Sequence, residues 1–461
     1  MVMNPEHERL QEVAGDHLLL HFTANGAYRA QERELLVLDR GEGCHVFDTA
    51  GRRYVDGLSS LFCCQIGYSH GEEMAAAAAE QMTSLPFNTN WATAHPAAIE
   101  LSEKLAARAP DGIEKVFFTS GGSESVETAW KIARQYHLSR GEPQRTKAIA
   151  RDIAYHGVTL GALSFTGVER FKTAFGPPAI PTRHVSNTNP FRREESGEDL
   201  TALLLAEAEE AIAEEGPDEV AIFIAEPIQN AGGCLVPPPG YWEGLRRICD
   251  EHGILLVADE VISGCGRLGE WFGVTHYGGA PDLITIAKGL TSAYAPMGAV
   301  LVRDSVAEPL YAEGTTLLHG ITFGGHPLSA AMALKNIEIF DREGVLENVN
   351  NLSPFLRRRL DEEVLPLPLV GDVRGDGFFF AAELTPDGAE GRFDPQEAAR
   401  IVKQIAPPAL LESGLIARAD DRGDPVIQIA PPLVSDEAVL DEVVLALKRT
   451  IELVTERAAA N

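Results

Sequence analysis

At 461 residues the chain is too long for one hydrophobic core, so a large domain with one or two smaller pieces is expected. Its 45% hydrophobic and 23% charged residues are those of an ordinary soluble globular protein. It carries 39 basic against 68 acidic residues, a net charge of −29 with no basic block, which argues against a nucleic-acid partner.

The N-terminal run MVMNPEHERLQEV is charged and lacks an apolar signal core. LLLHF at 18–22 is far too short to span a bilayer. The six cysteines (Cys44, Cys63, Cys64, Cys234, Cys249 and Cys265) form no CxxC pair and suggest no disulfide framework. A cytoplasmic protein without membrane association is the expectation.

Residues 1–65 read as a small leading segment, with an amphipathic helix over 6–18. Short strands follow in VLDRGEGCHVFDTAGRRYVDGL, with turns expected at 39–43 and 50–52. Residues 66–330 read as the large domain. Helical stretches at 72–83, 95–108 and 123–139 alternate there with apolar strand runs. The runs are KVFFT (115–119), KAIAR (147–151), AIFIAEP (221–227), ILLVADE (254–260), LITIAK (283–288) and GAVLVR (298–303). Near-continuous apolar strands imply burial on both faces, hence an α/β fold with a largely parallel, helix-covered sheet. From 331 to 461 the texture changes to a small α+β domain. It opens with the helix SAAMALKNIEIFDREG and closes with a helix over 436–456.

Two of the strands each end in a singular ionisable residue. GILLVADEVISG (253–264) delivers Asp259, and DLITIAKGLTS (282–292) delivers Lys288. An amine and a carboxylate at the ends of two buried strands suit a pyridine-aldehyde cofactor. The amine can condense with the aldehyde as a Schiff base and later serve as a base. The carboxylate can keep the ring nitrogen protonated. Val261, two residues beyond Asp259, is expected to pack on the ring. In FFTSGGSES, Gly121, Gly122 and Ser123 stand where a helix begins, and free amides there suit a phosphate. Tyr155 and His156 in AYHG are aromatics able to stack on the ring. Glu226 ends another strand and, if buried, needs a partner. Thr322 in HGITFGGHP can offer a hydroxyl to phosphate. Arg418 in GLIARADDRGD suits a bidentate grip on a carboxylate, with a salt bridge to Asp420 or Asp421 as the competing use. Arg267 reads as structural.

The segments FFTSGGSESVETAWKIAR, YHG, AEPIQNAGG, LLVADEVISGCGRLG, DLITIAKGLTSAYAPMGAVLV, ITFGGHPLSAAMAL and IQIAPPLV together resemble the class III aminotransferases. This is a fold type I, pyridoxal-phosphate (PLP) group, and KGLTSAYAPMGAV resembles its amine:pyruvate branch. The resemblance implies a seven-stranded sheet in the large domain and a small domain built from both ends of the chain. It implies that Lys288 holds the cofactor covalently and that Asp259 faces the pyridine nitrogen. Gly122 and Ser123 would bind phosphate, Tyr155 would stack on the ring, and Glu226 would be the acid of the EP motif. Thr322 would serve the neighbouring subunit, which implies a homodimer with shared sites, or a tetramer. Phe62 and Trp91 would line the substrate pocket, and Arg418 would grip a substrate carboxylate. Asn230, Cys265 and Phe62 depart from the usual residues at positions that touch pocket shape. Asp421 and Asp424 add negative charge beside Arg418.

The expected reaction is ping-pong transfer of an amino group from an ω-amino acid or primary amine to pyruvate. A 2-oxoglutarate acceptor, or a racemase, mutase or decarboxylase on the same Lys/Asp frame, stays open on sequence. So does the donor, with taurine, β-alanine, 4-aminobutyrate, diamines and arylalkylamines all in contention. A binding protein on a borrowed fold would predict loss of Lys288 or Asp259, and both are present.

Overall fold

The computed structural model describes residues 5–30 and 32–460. The apolar runs assemble into one seven-stranded sheet. Its order is Ile113–Thr119, Gly298–Arg303, Leu283–Ile286, Leu255–Asp259, Val220–Ala225, Lys147–Arg151 and Thr182–Val185. Gly298–Arg303 runs antiparallel to both its neighbours; the remaining pairings are parallel. Every residue of Val220–Ala225 and Leu255–Asp259 is buried, which is why these strands read as unbroken apolar runs rather than alternating ones.

Strand periodicity sorts the side chains into two cores. Ile149, Phe223, Leu256 and Ile284 face one side, against Leu101, Leu204 and Leu245 of covering helices. Ala148, Ala150, Ile222, Ile224 and Val257 face the other, against Val126, Ala129, Ile132 and Ala133 of helix Gly122–Ser139. The carboxyl ends of the parallel strands therefore open on one edge, where ligands bind in open α/β sheets.

The two chain ends meet in a second sheet. Leu38–Glu42, His45–Asp48 and Arg53–Asp56 form a meander, and Leu415–Ile416 adds in parallel to Arg53–Asp56. A third, antiparallel sheet joins Val370–Asp376, Phe379–Leu384, Val426–Ile429 and Arg418–Asp420. Helix Pro327–Glu343 stops at Gly344, whose φ of 60° is the left-handed end cap that glycine supplies. Helix Glu437–Ala459 opens on Asp436, whose carboxylate accepts from the Val439 amide at 2.9 Å.

One expectation needs correction, and one strand was not anticipated. The turn placed at 39–43 is mostly strand: Leu38–Glu42 is an exposed edge whose polar residues look like a loop, and the chain reverses at Gly43, with φ 58°. The edge strand Thr182–Val185 had no apolar run to announce it, since only Val185 is buried. Among the described residues all six cysteines are free, and no helix is long and apolar enough to cross a membrane.

Candidate active site

A cavity of about 130 Å³ lies at the carboxyl edge of the large sheet. Its walls include Gly122, Ser123, Tyr155, His156, Glu226, Asp259, Val261 and Lys288, brought together from five strand ends. Gly121 stands one residue outside, as the cap of helix Gly122–Ser139.

Asp259 is the last residue of its strand and is 4% exposed. Its Oδ1 accepts from the Thr285 hydroxyl at 3.1 Å and the Val261 amide at 3.2 Å. Its Oδ2 lies 2.7 Å from His156 Nδ1. A carboxylate only accepts, so Nδ1 donates, and Nε2 is buried without a partner among the described residues. His156 thus braces the aspartate rather than standing free as a stacking ring.

Lys288 follows its strand with φ 41°, a left-handed conformation unusual for a non-glycine residue. Backbone strain of this kind, about 1–3 kcal/mol, persists where surroundings fix it, and functional sites are where it clusters. Desolvation pushes the Lys288 ammonium below the ordinary lysine range, opposed by the acidic groups around it, Asp259 and Glu226 among them. A larger share of the amine is therefore neutral and nucleophilic.

At the helix start, Gly121 offers no side-chain cap, so the first amides keep their donors. The Ser123 hydroxyl accepts from the Val158 amide at 3.1 Å, which leaves its own proton to donate. A Cβ on Gly122 would sit 2.9 Å from Val261 Cγ1, so glycine is what keeps this corner open. Glu226 is buried and accepts from the Tyr155 amide at 3.2 Å and the Asn230 amide at 2.9 Å. Burial raises its carboxyl pKa. Asn230 in turn accepts from Gln428 Nε2 through its carbonyl oxygen at 2.6 Å and through Oδ1 at 3.2 Å. The residue tethers this turn to the third sheet. Cys265 is buried against Gly289, in the turn that follows Lys288. Arg267 is fully buried among the Phe378 and Pro431 carbonyls, Ser59 and Gln65, a structural role.

The other sequence candidates lie outside the cavity. Phe62 is 1% exposed and packs edge-on against Phe379 at 5.6 Å. Trp91 is 62% exposed and lines a separate broad cleft with Phe117, Leu317 and Ile321. Thr322 is exposed on the adjoining loop and lines neither space. Arg418 Nε stands 3.6 Å from Asp420 Oδ2, too far for a hydrogen bond. Burial pushes its guanidinium down to about 10. The negative charge expected to restrain Arg418 is already matched elsewhere. Asp421 pairs with Arg170 and Lys403, and Asp424 with Arg192 and Arg392. Arg422, which sequence reasoning passed over inside an acidic-looking turn, is buried on Asp420 with its guanidinium 5.3 Å from the Tyr155 ring centre.

The family model for aminotransferase class-III matches residues 27–451. The chain belongs to the class III aminotransferases. A probable aminotransferase of Mycobacterium tuberculosis is 47% identical over 439 residues, 94% of this chain and 92% of that one. The putrescine–pyruvate aminotransferase of Pseudomonas aeruginosa is 38% identical, over 98% and 97%. Among solved structures, an (S)-enantioselective ω-transaminase from Thermomicrobium roseum superimposes with a TM-score of 0.92. It is 38% identical, and the match covers 98% of this chain and all of that one. This aminotransferase therefore has the fold type I architecture and catalyses ping-pong transamination with pyridoxal phosphate. Its cavity suits that cofactor on chemistry alone: the Asp259 carboxylate, the Lys288 amine, open helix-end amides and an aromatic wall.

Proposed function

We propose that this cavity is the catalytic centre, with pyridoxal phosphate held by the residues that wall it. The observation that carries the proposal is the convergence of Lys288, Asp259 and the Gly122–Ser123 helix start on one small space. When bound, the cofactor supplies an aldehyde and an electron-withdrawing ring, which stabilise the charge left when a proton leaves the amine-bearing carbon. Asp259 would face the ring nitrogen, oriented by His156 and Thr285. Gly121, Gly122 and Ser123 would hold the phosphate, and Tyr155 and Val261 would bound the ring. Lys288 would hold the aldehyde and, once released, carry the proton between carbons through Nζ. Glu226 would fix the Tyr155 backbone through its 3.2 Å contact.

Gly122→Ala tests the phosphate corner. The new methyl would meet Val261 at 2.9 Å, closer than real Cβ atoms come. The affinity of the cofactor-free protein for pyridoxal phosphate is expected to fall about tenfold or more, read by fluorescence titration. An unchanged Kd would remove these residues from the phosphate site.

The donor is proposed to be an ω-amino acid or primary amine, and the acceptor pyruvate. Support for pyruvate comes from the near full-length similarity to a putrescine–pyruvate enzyme. Arg418 would grip the keto-acid carboxylate. A donor panel run separately with pyruvate and 2-oxoglutarate is expected to favour pyruvate by about tenfold or more in kcat/KM. Equal values would sink the assignment. Thr322, exposed and outside the lining of its own cavity, is proposed to serve a second copy, making a cytoplasmic homodimer with shared sites. Phe62 and Trp91 would shape the substrate entrance. The large domain is proposed to span 66–330, and the small one to combine 1–65 with 331–461.

A further inference from the structure

The geometry points to Arg422 as a specificity-determining positioning residue: it occupies Asp420 and so leaves Arg418 free for a substrate carboxylate. This rests on the reading of Arg418 as the carboxylate grip. Arg418 and Arg422 flank one buried acid on a short strand and the turn after it. Asp420 is 4% exposed, so its charge must be matched. Arg422 matches it. Its Nε reaches Oδ1 at 2.9 Å and Oδ2 at 2.7 Å, its Nη2 also bonds Oδ2, and its backbone amide donates to Oδ1 at 3.0 Å.

Arg418 holds only the 3.6 Å approach to the same Oδ2, and its side chain is 29% exposed. No hydrogen bond of the Arg418 guanidinium is found among the described residues. A guanidinium in this state, half-buried and short of acceptors, gains most from a new carboxylate. Its location suits that use: it stands 3.6 Å from Asp420, whose partner Arg422 lies 5.3 Å from the ring of Tyr155 on the cavity wall. The repulsion between Arg418 and Arg422 further disfavours Arg418 closing on Asp420.

The remaining charges nearby are committed. Arg170 and Lys403 are on Asp421. If Arg422 were removed, Arg418 would be the nearest cation left to satisfy Asp420, and it would close on that acid. The consequence is directional. Substrates bearing a carboxylate would lose their grip, while a donor without one would not need it.

The experiment compares two half-reactions of the holoenzyme, one with pyruvate and one with benzylamine, each followed by cofactor absorbance. Arg422→Met is expected to raise the half-saturating pyruvate concentration about ten- to a hundredfold, the worth of one charge-assisted hydrogen bond. The same constant for benzylamine is expected to move far less. Arg422→Met/Asp420→Asn is expected to bring the pyruvate value back to within about threefold of wild type, because Arg418 is released again. This double variant also serves if the single one folds poorly, since it removes the buried acid together with the cation that matched it. Equal losses for both substrates, or a double variant as impaired toward pyruvate as the single, would overturn the inference and leave Arg422 a structural residue. Arg418→Leu separates the layers. If it raises the pyruvate constant and Arg422→Met does not, only the role of Arg422 falls. If it leaves the pyruvate constant unchanged, the carboxylate grip and the inference fall together.

Discussion

Lys288→Ala is expected to lower turnover by about 10⁴-fold or more, the upper range for a positioned proton-transfer group that is also the attachment point. Among the described residues walling the cavity, Lys288 is the one amine, so no neighbour can stand in. The variant should still bind pyridoxal phosphate through the helix start and Asp259, but without the yellow absorbance of covalent attachment. Lys288→Arg should fare no better, because a guanidinium stays protonated throughout the working pH range. The pH sense follows from desolvation, which pushes Lys288 below its ordinary value of 10.5. Capture of added cofactor by the cofactor-free protein should therefore rise with pH and level off at a midpoint below that of a free lysine, since only the neutral amine attacks. Stopped-flow absorbance across the pH range measures that midpoint. A purified Lys288→Ala protein that turned over near the wild-type rate would remove the catalytic assignment.

The reason Lys288 and Asp259 were legible in sequence is local. Each is the first ionisable residue after an uncharged, mostly apolar run, and a buried strand that ends in a charge has to aim it at something. Strands Lys147–Arg151 and Gly298–Arg303 were readable residue for residue for the same reason, and Gly344 announced the end of its helix. Strand limits failed by one or two residues where the site begins. Glu226, Glu260 and Lys288 stand just past the last ladder residue, and apolar patterning cannot see where hydrogen bonding stops. Pairings across long sequence gaps were out of reach. His156 meets Asp259 over 103 residues, and Gln428 meets Asn230 over 198. The acids near Arg418 looked like a negative patch because Arg170 and Arg192, which match two of them, lie more than 200 residues upstream. Composition gives a sum of charge, whereas the fold decides which charges cancel.

Asp259→Asn is expected to reduce turnover about 10²- to 10³-fold while leaving the fold intact. The reasoning starts from shape. Asparagine is nearly isosteric, and its oxygen can still accept from the Thr285 hydroxyl and the Val261 amide, now at 3.1 and 3.2 Å. Its NH2 would then face His156 Nδ1, a donor in the native enzyme. That conflict resolves without movement of the backbone, because His156 Nε2 has no partner among the described residues and can carry the proton, which lets Nδ1 accept. What is lost is the charge. A carboxylate beside a pyridinium in a dry site holds its proton by about one to three pKa units, so the neutral amide gives up ten- to a thousandfold of the protonated ring near neutral pH. The deficit should therefore be larger at high pH, where the unassisted ring loses its proton, and smaller at low pH. Asp259→Glu keeps the charge but overfills a buried corner, so it should lose less activity than asparagine and show a flatter pH profile. Measuring kcat against pH for both variants separates charge from packing. An Asp259→Asn enzyme within about threefold of wild type at every pH would mean that the carboxylate meets no ring nitrogen, and that its tight hold by His156 and Thr285 serves the strand end alone.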